Sequence, residues 1–258
     1  MLGYNLVYPI GGFIMNNFIY ASLVISLLYS TAPCTNTFSN TNRSNLTKVT
    51  SNIFKNKVKI DTKELQIKKD YFDSKLKFPI ITGLKNKNIQ QQVNSMIEND
   101  VLKFRNRIKN LAEKNKEKSI KEGYELMPYV AYTDYKVSTI KDDFASFYID
   151  FYEFTGGAHG STLRKSYNID LKTGKLLTLH DILKDIPNYK DIINKYIYNE
   201  ISKKPDIYFV DSFKGITDNI AFTVEKDALV IYFQQYEIAP YSSGIPEFRI
   251  PFIKLSNF

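Results

Sequence analysis

One stretch, residues 87–118, constrains the fold more than any other. Ile89, Val93, Met96, Ile97, Phe104, Ile108 and Leu111 recur three or four positions apart. That spacing places their side chains on one face of a helix. The opposite face is Gln, Asn, Lys and Arg. A long helix with a single apolar face has to lie against the core of a layered domain. The flanking residues supply strands. Residues 58–60 and 65–79 mix β-branched and aromatic side chains with polar ones and read as extended, with a turn at Thr82-Gly83-Leu84.

Downstream, 129–140 and 144–154 read as paired strands over a Lys141-Asp142-Asp143 turn. In the second of these, Ala145, Phe147, Ile149 and Phe151 alternate with Ser146, Tyr148, Asp150 and Tyr152. Aromatics on both faces suit a strand covered on both sides or bearing a sticky face. Residues 165–171 form a third strand, followed by a tight Lys172-Thr173-Gly174-Lys175 turn. Thr178 then caps a short helix, with Asp181 completing a capping box. Residues 189–203 form a second amphipathic helix on Ile192, Ile193, Tyr196, Ile197 and Ile201, ended by Pro205. Residues 221–224 and 229–236 pair over Glu225-Lys226-Asp227, and 248–253 closes that sheet. The pattern predicts an α+β fold: mostly antiparallel sheets, each packed by an amphipathic helix. Two subdomains of related size, 57–172 and 173–258, would share one compact module.

The chain has 258 residues, 43% of them apolar, enough for a core of that extent. Lys and Arg outnumber Asp and Glu by 35 to 27, a formal charge of +8. Such a balance suits anionic surroundings, or is simply a solvated lysine-rich surface. The basic residues are dispersed, so no nucleic-acid partner is expected. Cys34 is the one cysteine, and no internal disulfide can form. Before Arg43 no residue is charged, and 18–29 is an apolar run. It is shorter than the ~20 residues that span a bilayer and suits a secretory h-region, with Met15 an alternative start. Against a standard signal peptide stand the lack of Lys or Arg ahead of the run and Pro33 directly after Ser30-Thr31-Ala32. Arg43 and Lys48, C-terminal to the run, favour keeping that side in the cytoplasm. The expectation is a signal-like or anchor segment over 1–34, a candidate membrane tether, then a Ser/Thr/Asn-rich flexible linker over 35–56.

His159 and His180 are the two histidines, and nothing near either has the spacing of a zinc site. No metal or cofactor is expected. Cys34 lies in the leader or linker, Ser161 lacks the Gly-x-Ser-x-Gly context, and Asp142 and Asp143 are turn formers. No catalytic constellation emerges. Two clusters remain. In Gly156-Gly157-Ala158-His159-Gly160 the glycines either reverse the chain between strands, or present backbone N–H groups beside His159 to a sugar or carboxylate. In the 232–252 segment, Tyr236, Glu237 and Tyr241 either form an aromatic and polar patch for a glycan or protein, or pack over the sheet end. The candidate ligand-binding residues are therefore Gly156, Gly157, His159, Tyr236, Glu237 and Tyr241.

The motifs YEFTGGAHGST (from Tyr152), YNIDLKTGKLLTLHDIL (from Tyr167) and VIYFQQYEIAPYSSGIPEFRIPF (from Val230) occur in that order. Together they resemble paired extracytoplasmic domains of the DUF4163 and DUF3298 type. These occur in the outer region of lysozyme-responsive, sigma-V-type anti-sigma factors and in the non-catalytic N-terminal region of peptidoglycan deacetylases. The resemblance covers residues 58–252. It implies an α+β module exported to, or tethered at, the cell envelope. In anti-sigma relatives the module binds lysozyme; in deacetylases it accompanies the enzyme without carrying its metal ligands. The present sequence shows no charged segment ahead of the apolar run and no deacetylase domain after Phe258. Its positive charge disfavours encounter with a basic lysozyme and favours an anionic wall polymer. The expected function is a non-enzymatic envelope binding or sensor module for a wall glycan, an anionic wall polymer or a wall-active protein such as lysozyme. One alternative is a peptidoglycan- or polysaccharide-modifying enzyme using His159 with Glu153 or Glu237. Another is a truncated anti-sigma sensor.

Overall fold

In the computed structural model, which describes residues 57–255, a six-stranded sheet carries the long helix on one face. The leader and linker expected over 1–34 and 35–56 lie outside the described residues. Strands β1 (Lys59–Lys68) and β2 (Phe72–Thr82) form a hairpin, followed by helix α1 (Lys87–Glu122). Next come β3 (Tyr129–Ile140), β4 (Phe144–Phe154), β5 (Ser161–Asp170) and the short β6 (Lys175–Leu176). The strands lie side by side in chain order. All pairs are antiparallel except β2 and β3. That exception follows from α1, because a helical crossover returns the chain to the end from which β2 started. The single extended stretch expected over 65–79 is corrected to two strands. Lys69 and Phe72 exchange backbone hydrogen bonds of 2.8 and 3.3 Å, closing a tight turn between them.

Both ends of α1 are capped. The Asn86 side chain accepts from the Asn88 and Ile89 N–H groups, and Gly123 adopts a left-handed φ of 73° while its N–H reaches the Ser119 carbonyl. Val93, Ile97, Val101, Ile108 and Ala112 are its buried apolar positions. Leu111, expected on that face, is 40% exposed; the step of four from Ile108 brings Ala112 inward instead. Val93, Ile97 and Val101 pack on Leu76, Phe78, Phe147, Ile149 and Phe151. Each such burial contributes about 1.5–3 kcal/mol.

The second unit of structure comprises α2 (Leu179–Leu183), α3 (Tyr189–Ser202), β7 (Ala221–Val224), β8 (Ala228–Tyr232), β9 (Glu247–Pro251) and a terminal turn α4 (Phe252–Leu255). The expected capping box is present. Thr178 Oγ1 accepts from the Asp181 N–H, and the Asp181 carboxylate accepts from the Thr178 N–H at 2.8 Å. Leu179, Leu183, Ile193 and Ile197 cover Phe222, Leu229, Ile231, Phe248 and Ile250 of the antiparallel sheet β7-β8-β9. Two strand ends differ from expectation. β8 stops at Tyr232 rather than Tyr236: the Phe233 N–H still donates to the Pro246 carbonyl in register, but Pro246 has no N–H to extend the ladder, and the chain turns at 234–237. β9 stops at Pro251, and Phe252 begins a helical turn. The architecture is α+β, and no helix among the described residues is long and apolar enough to cross a membrane.

A buried polar bridge joins the two sheets. Ser146 Oγ donates to Asn168 Oδ1 at 2.7 Å and accepts from the Val224 N–H at 2.8 Å, while Asn168 Nδ2 donates to the Phe222 carbonyl at 2.9 Å. Asn168→Ala would strand the carbonyl and the hydroxyl out of water. Leaving a buried group unpaired costs roughly 1–3 kcal/mol. A loss of about 2 kcal/mol in unfolding free energy is expected, read by urea denaturation, and an unchanged midpoint would contradict the bridge.

Candidate functional site

The loop from β4 to β5 is shaped by its glycines in two different ways. Gly156 and Gly157 have φ of +97° and +91°, and a side chain at either would meet open space. They serve the backbone conformation. Gly160 serves close approach. A Cβ there would lie 2.5 Å from the Tyr152 hydroxyl and closer still to the Glu153 carbonyl oxygen. The loop is thereby pressed onto the Tyr152 ring, and His159 is left exposed. His159 Nδ1 lies 2.9 Å from the Gly160 carbonyl oxygen. Donation to that carbonyl puts the proton on Nδ1 and leaves Nε2 as an acceptor; Tyr236 Oη stands 3.4 Å from it.

The second cluster approaches from the far end of the chain. After β8 the backbone turns at 234–237. There Glu237's carboxylate accepts from the Gln234 N–H at 2.7 Å, and Tyr236 takes a left-handed φ of 66°. That conformation costs a residue with a side chain on the order of 1–3 kcal/mol, and it leaves Tyr236 53% exposed. A 3₁₀ turn over Tyr241–Ser243 then presents Tyr241. The His159 and Tyr241 rings stack with centroids 4.0 Å apart and planes 22° from parallel, and Tyr236 lies 5.9 Å from Tyr241. Of the six residues nominated by sequence, then, His159, Tyr236 and Tyr241 converge. Gly156 and Gly157 shape the loop that carries the histidine, and Glu237 binds into its own turn.

Three residues that hold this arrangement together are not evident from sequence. The Gln234 side chain accepts from the Arg164 N–H at 2.9 Å and donates to the Arg164 carbonyl at 2.8 Å. The Gln235 side chain accepts from the Thr162 N–H at 2.7 Å. These are the groups that a strand added to the edge of β5 would use, so two side chains act in place of a strand. Arg164 itself makes a bidentate pair with Asp150, at 2.7 and 2.9 Å, binds Glu247 of β9, and lies 3.6 Å from the Tyr148 ring centroid. Burial alone would lower its pKa, but the Asp150 and Glu247 bonds outweigh that effect and hold the guanidinium charged. The sequence signals were slight: two adjacent glutamines after an apolar strand, and one arginine within another.

Glu153 pairs with Arg107, and Glu237's carboxylate is the turn acceptor described above. The two carboxylates nominated as partners of His159 are thus engaged elsewhere. His180 lies on α2 beside Tyr189, with ring centroids 6.3 Å apart. Among the described residues no cluster of three or more His, Cys, Asp or Glu is placed to hold a metal.

Two family models match the chain. Residues 65–162 match the family model described as Deacetylase PdaC, and residues 180–252 match that of a protein of unknown function, DUF3298. The peptidoglycan-N-acetylmuramic acid deacetylase PdaC of Bacillus subtilis is 29% identical over 112 residues, which cover 41% of this chain and 24% of that protein. The chain thus matches about a quarter of that relative's length. The anti-sigma-V factor RsiV of the same organism is 28% identical over 204 residues, 75% of this chain and 68% of that one. A crystal structure of a DUF3298 family member from Bacteroides fragilis superposes with a TM-score of 0.59 at 18% identity, covering 78% of this chain and 93% of that one. That likeness concerns the fold. One segment of the chain therefore resembles the Deacetylase PdaC model and a later one the DUF3298 model, in the order in which its motifs occur.

Proposed function

We propose that this domain pair is a non-enzymatic binding module of the cell envelope, and that the His159–Tyr241–Tyr236 cluster receives a wall glycan. The observation that carries the reading is the convergence of two clusters 77 residues apart on one set of rings, with His159 and Tyr236 exposed and Tyr241 half-buried. Stacked ring faces match the apolar face of a sugar, and the tyrosine hydroxyls, with His159 Nε2 held by Tyr236 at a long 3.4 Å, match its hydroxyl rim. The envelope setting is supported by the relative named for peptidoglycan, and the formal charge of +8 favours anionic polymers there. A sensor of a wall-active protein is the second reading; the alignment with an anti-sigma-V factor over 204 residues favours it.

Purified protein incubated with insoluble peptidoglycan, and separately with immobilised lysozyme, tests both. Retention on peptidoglycan is expected without release of soluble sugar. His159→Ala and Tyr241→Ala should each weaken it about tenfold, roughly 1.4 kcal/mol, at an unchanged denaturation midpoint. Undiminished retention of both variants would sink the site. Retention on lysozyme alone would favour the sensor, and product release abolished by His159→Ala would favour an enzyme.

A further inference from the structure

The ring cluster sits at one end of a longer surface. On the face of the first sheet opposite α1, one row of side chains runs across four strands. Lys75 of β2 neighbours Tyr132 of β3, which faces Tyr152 of β4, which faces Thr162 of β5. Strands about 4.8 Å apart make this row roughly 14 Å long. The Tyr132 and Tyr152 rings lie 6.3 Å apart, tilted 35° to each other. The row lines a concavity of about 360 Å³, a size that suits a small-molecule or sugar subsite. Its far end is the glycine-histidine loop, because Gly160 rests on the Tyr152 ring and the Thr162 N–H is held by Gln235, the neighbour of Tyr236. Tyr152, which lines the concavity, thus also supports the loop that carries His159.

Two of the carboxylates of the concavity are paired with cations: Asp150 with Arg164, and Asp134 at 3.4 Å from Lys77; Asp73, at its rim, accepts from the Tyr132 hydroxyl at 3.0 Å and keeps its charge. Lys75 is exposed and has no carboxylate partner among the described residues. It is an available cation at the end of an aromatic row.

We infer that Lys75, Tyr132 and Tyr152 extend the glycan site across the sheet, taking further rings of an acidic polysaccharide with Lys75 at a sugar carboxylate. The ligand class rests on the reading above; the extension and its preference for acid are additional. The two tyrosines supply stacking that is indifferent to charge, whereas the lysine discriminates acidic from neutral sugars.

Calorimetric titration of the full chain with two probes tests this. One is the neutral tetramer of N-acetylglucosamine; the other is a tetrasaccharide in which N-acetylmuramic acid alternates with N-acetylglucosamine. The acidic probe should bind five- to tenfold more tightly, with an advantage that shrinks as salt rises. Tyr132→Ala should weaken both probes about tenfold. Lys75→Gln, at an exposed position, should weaken the acidic probe alone and erase the preference. If Tyr132→Ala and Lys75→Gln bind both probes as the parent does while His159→Ala does not, the extension is wrong and the ring cluster stands. If His159→Ala binds normally while Tyr132→Ala fails, the row stands and the ring cluster falls. Failure of the parent to bind either probe removes both.

Discussion

Arg164→Met is expected to lower the unfolding free energy by about 3 kcal/mol, in the range seen when one partner of a buried ion pair is removed. The methionine keeps most of the aliphatic stem, so the loss isolates the guanidinium. That group is 9% exposed and satisfies Asp150 twice and Glu247 once. Its removal leaves Asp150, 28% exposed, without its counter-ion, and strips a cation from the Tyr148 face, a contact worth about 0.5–2 kcal/mol. Glu247 is 45% exposed and returns to water at little cost, which keeps the expectation nearer 3 than 5. Guanidinium denaturation reads the change. Adding Asp150→Asn should restore part of it, because the orphaned charge is then gone. A single variant within 1 kcal/mol of the parent would contradict the clamp.

Gly160→Ala should be comparably damaging, at about 3 kcal/mol, the upper range for overpacking. The added methyl group would meet the backbone carbonyl of Glu153 and the end of the Tyr152 ring. The carbonyl belongs to β4, which is paired on both sides, so the loop has to lift instead. Lifting carries His159 off Tyr241, and glycan retention should fall together with stability. Gly156→Ala and Gly157→Ala are the controls. Both face open space at positive φ, and a backbone penalty of roughly 1 kcal/mol is expected. Thermal melts of the three variants in parallel give the comparison. If Gly160→Ala melts with the other two, the close approach to Tyr152 carries no weight.

Features set by short-range pattern were legible in the sequence. The turn at Lys141-Asp142-Asp143 between two alternating runs located β3 and β4, and the Thr178–Asp181 box located α2. The helical period located α1, although it misjudged Leu111, where the choice between a step of three and a step of four is decided by what the sheet offers. Positions fixed by distant partners were not legible. β8 ends at Tyr232 because its next partner on the closing strand is Pro246, which has no N–H to extend the ladder, a pairing that local propensity cannot register. The parallel β2/β3 pair depends on where α1 delivers the chain. The candidate site divides in the same way. Glycine, histidine and tyrosine in loops marked the rings themselves, while Gln234, Gln235 and Arg164 act across 70 or more residues or between sheets and look ordinary in isolation. Tyr152 reads only as one member of the alternation in 144–154, and it takes the register to set it opposite Tyr132 and the loop to set it against Gly160.

The glutamine seal on β5 has a kinetic corollary. Arg164 leaves the ribosome 70 residues before Gln234. At roughly 5–20 residues per second, the first sheet waits about 4–14 s with a raw hydrogen-bonding margin. Nascent molecules crowded on one message would meet during that interval with matching unprotected borders. Chains halted short of Gln234 should therefore clump where finished ones do not, because Gln234 and Gln235 cover that margin only once they are made.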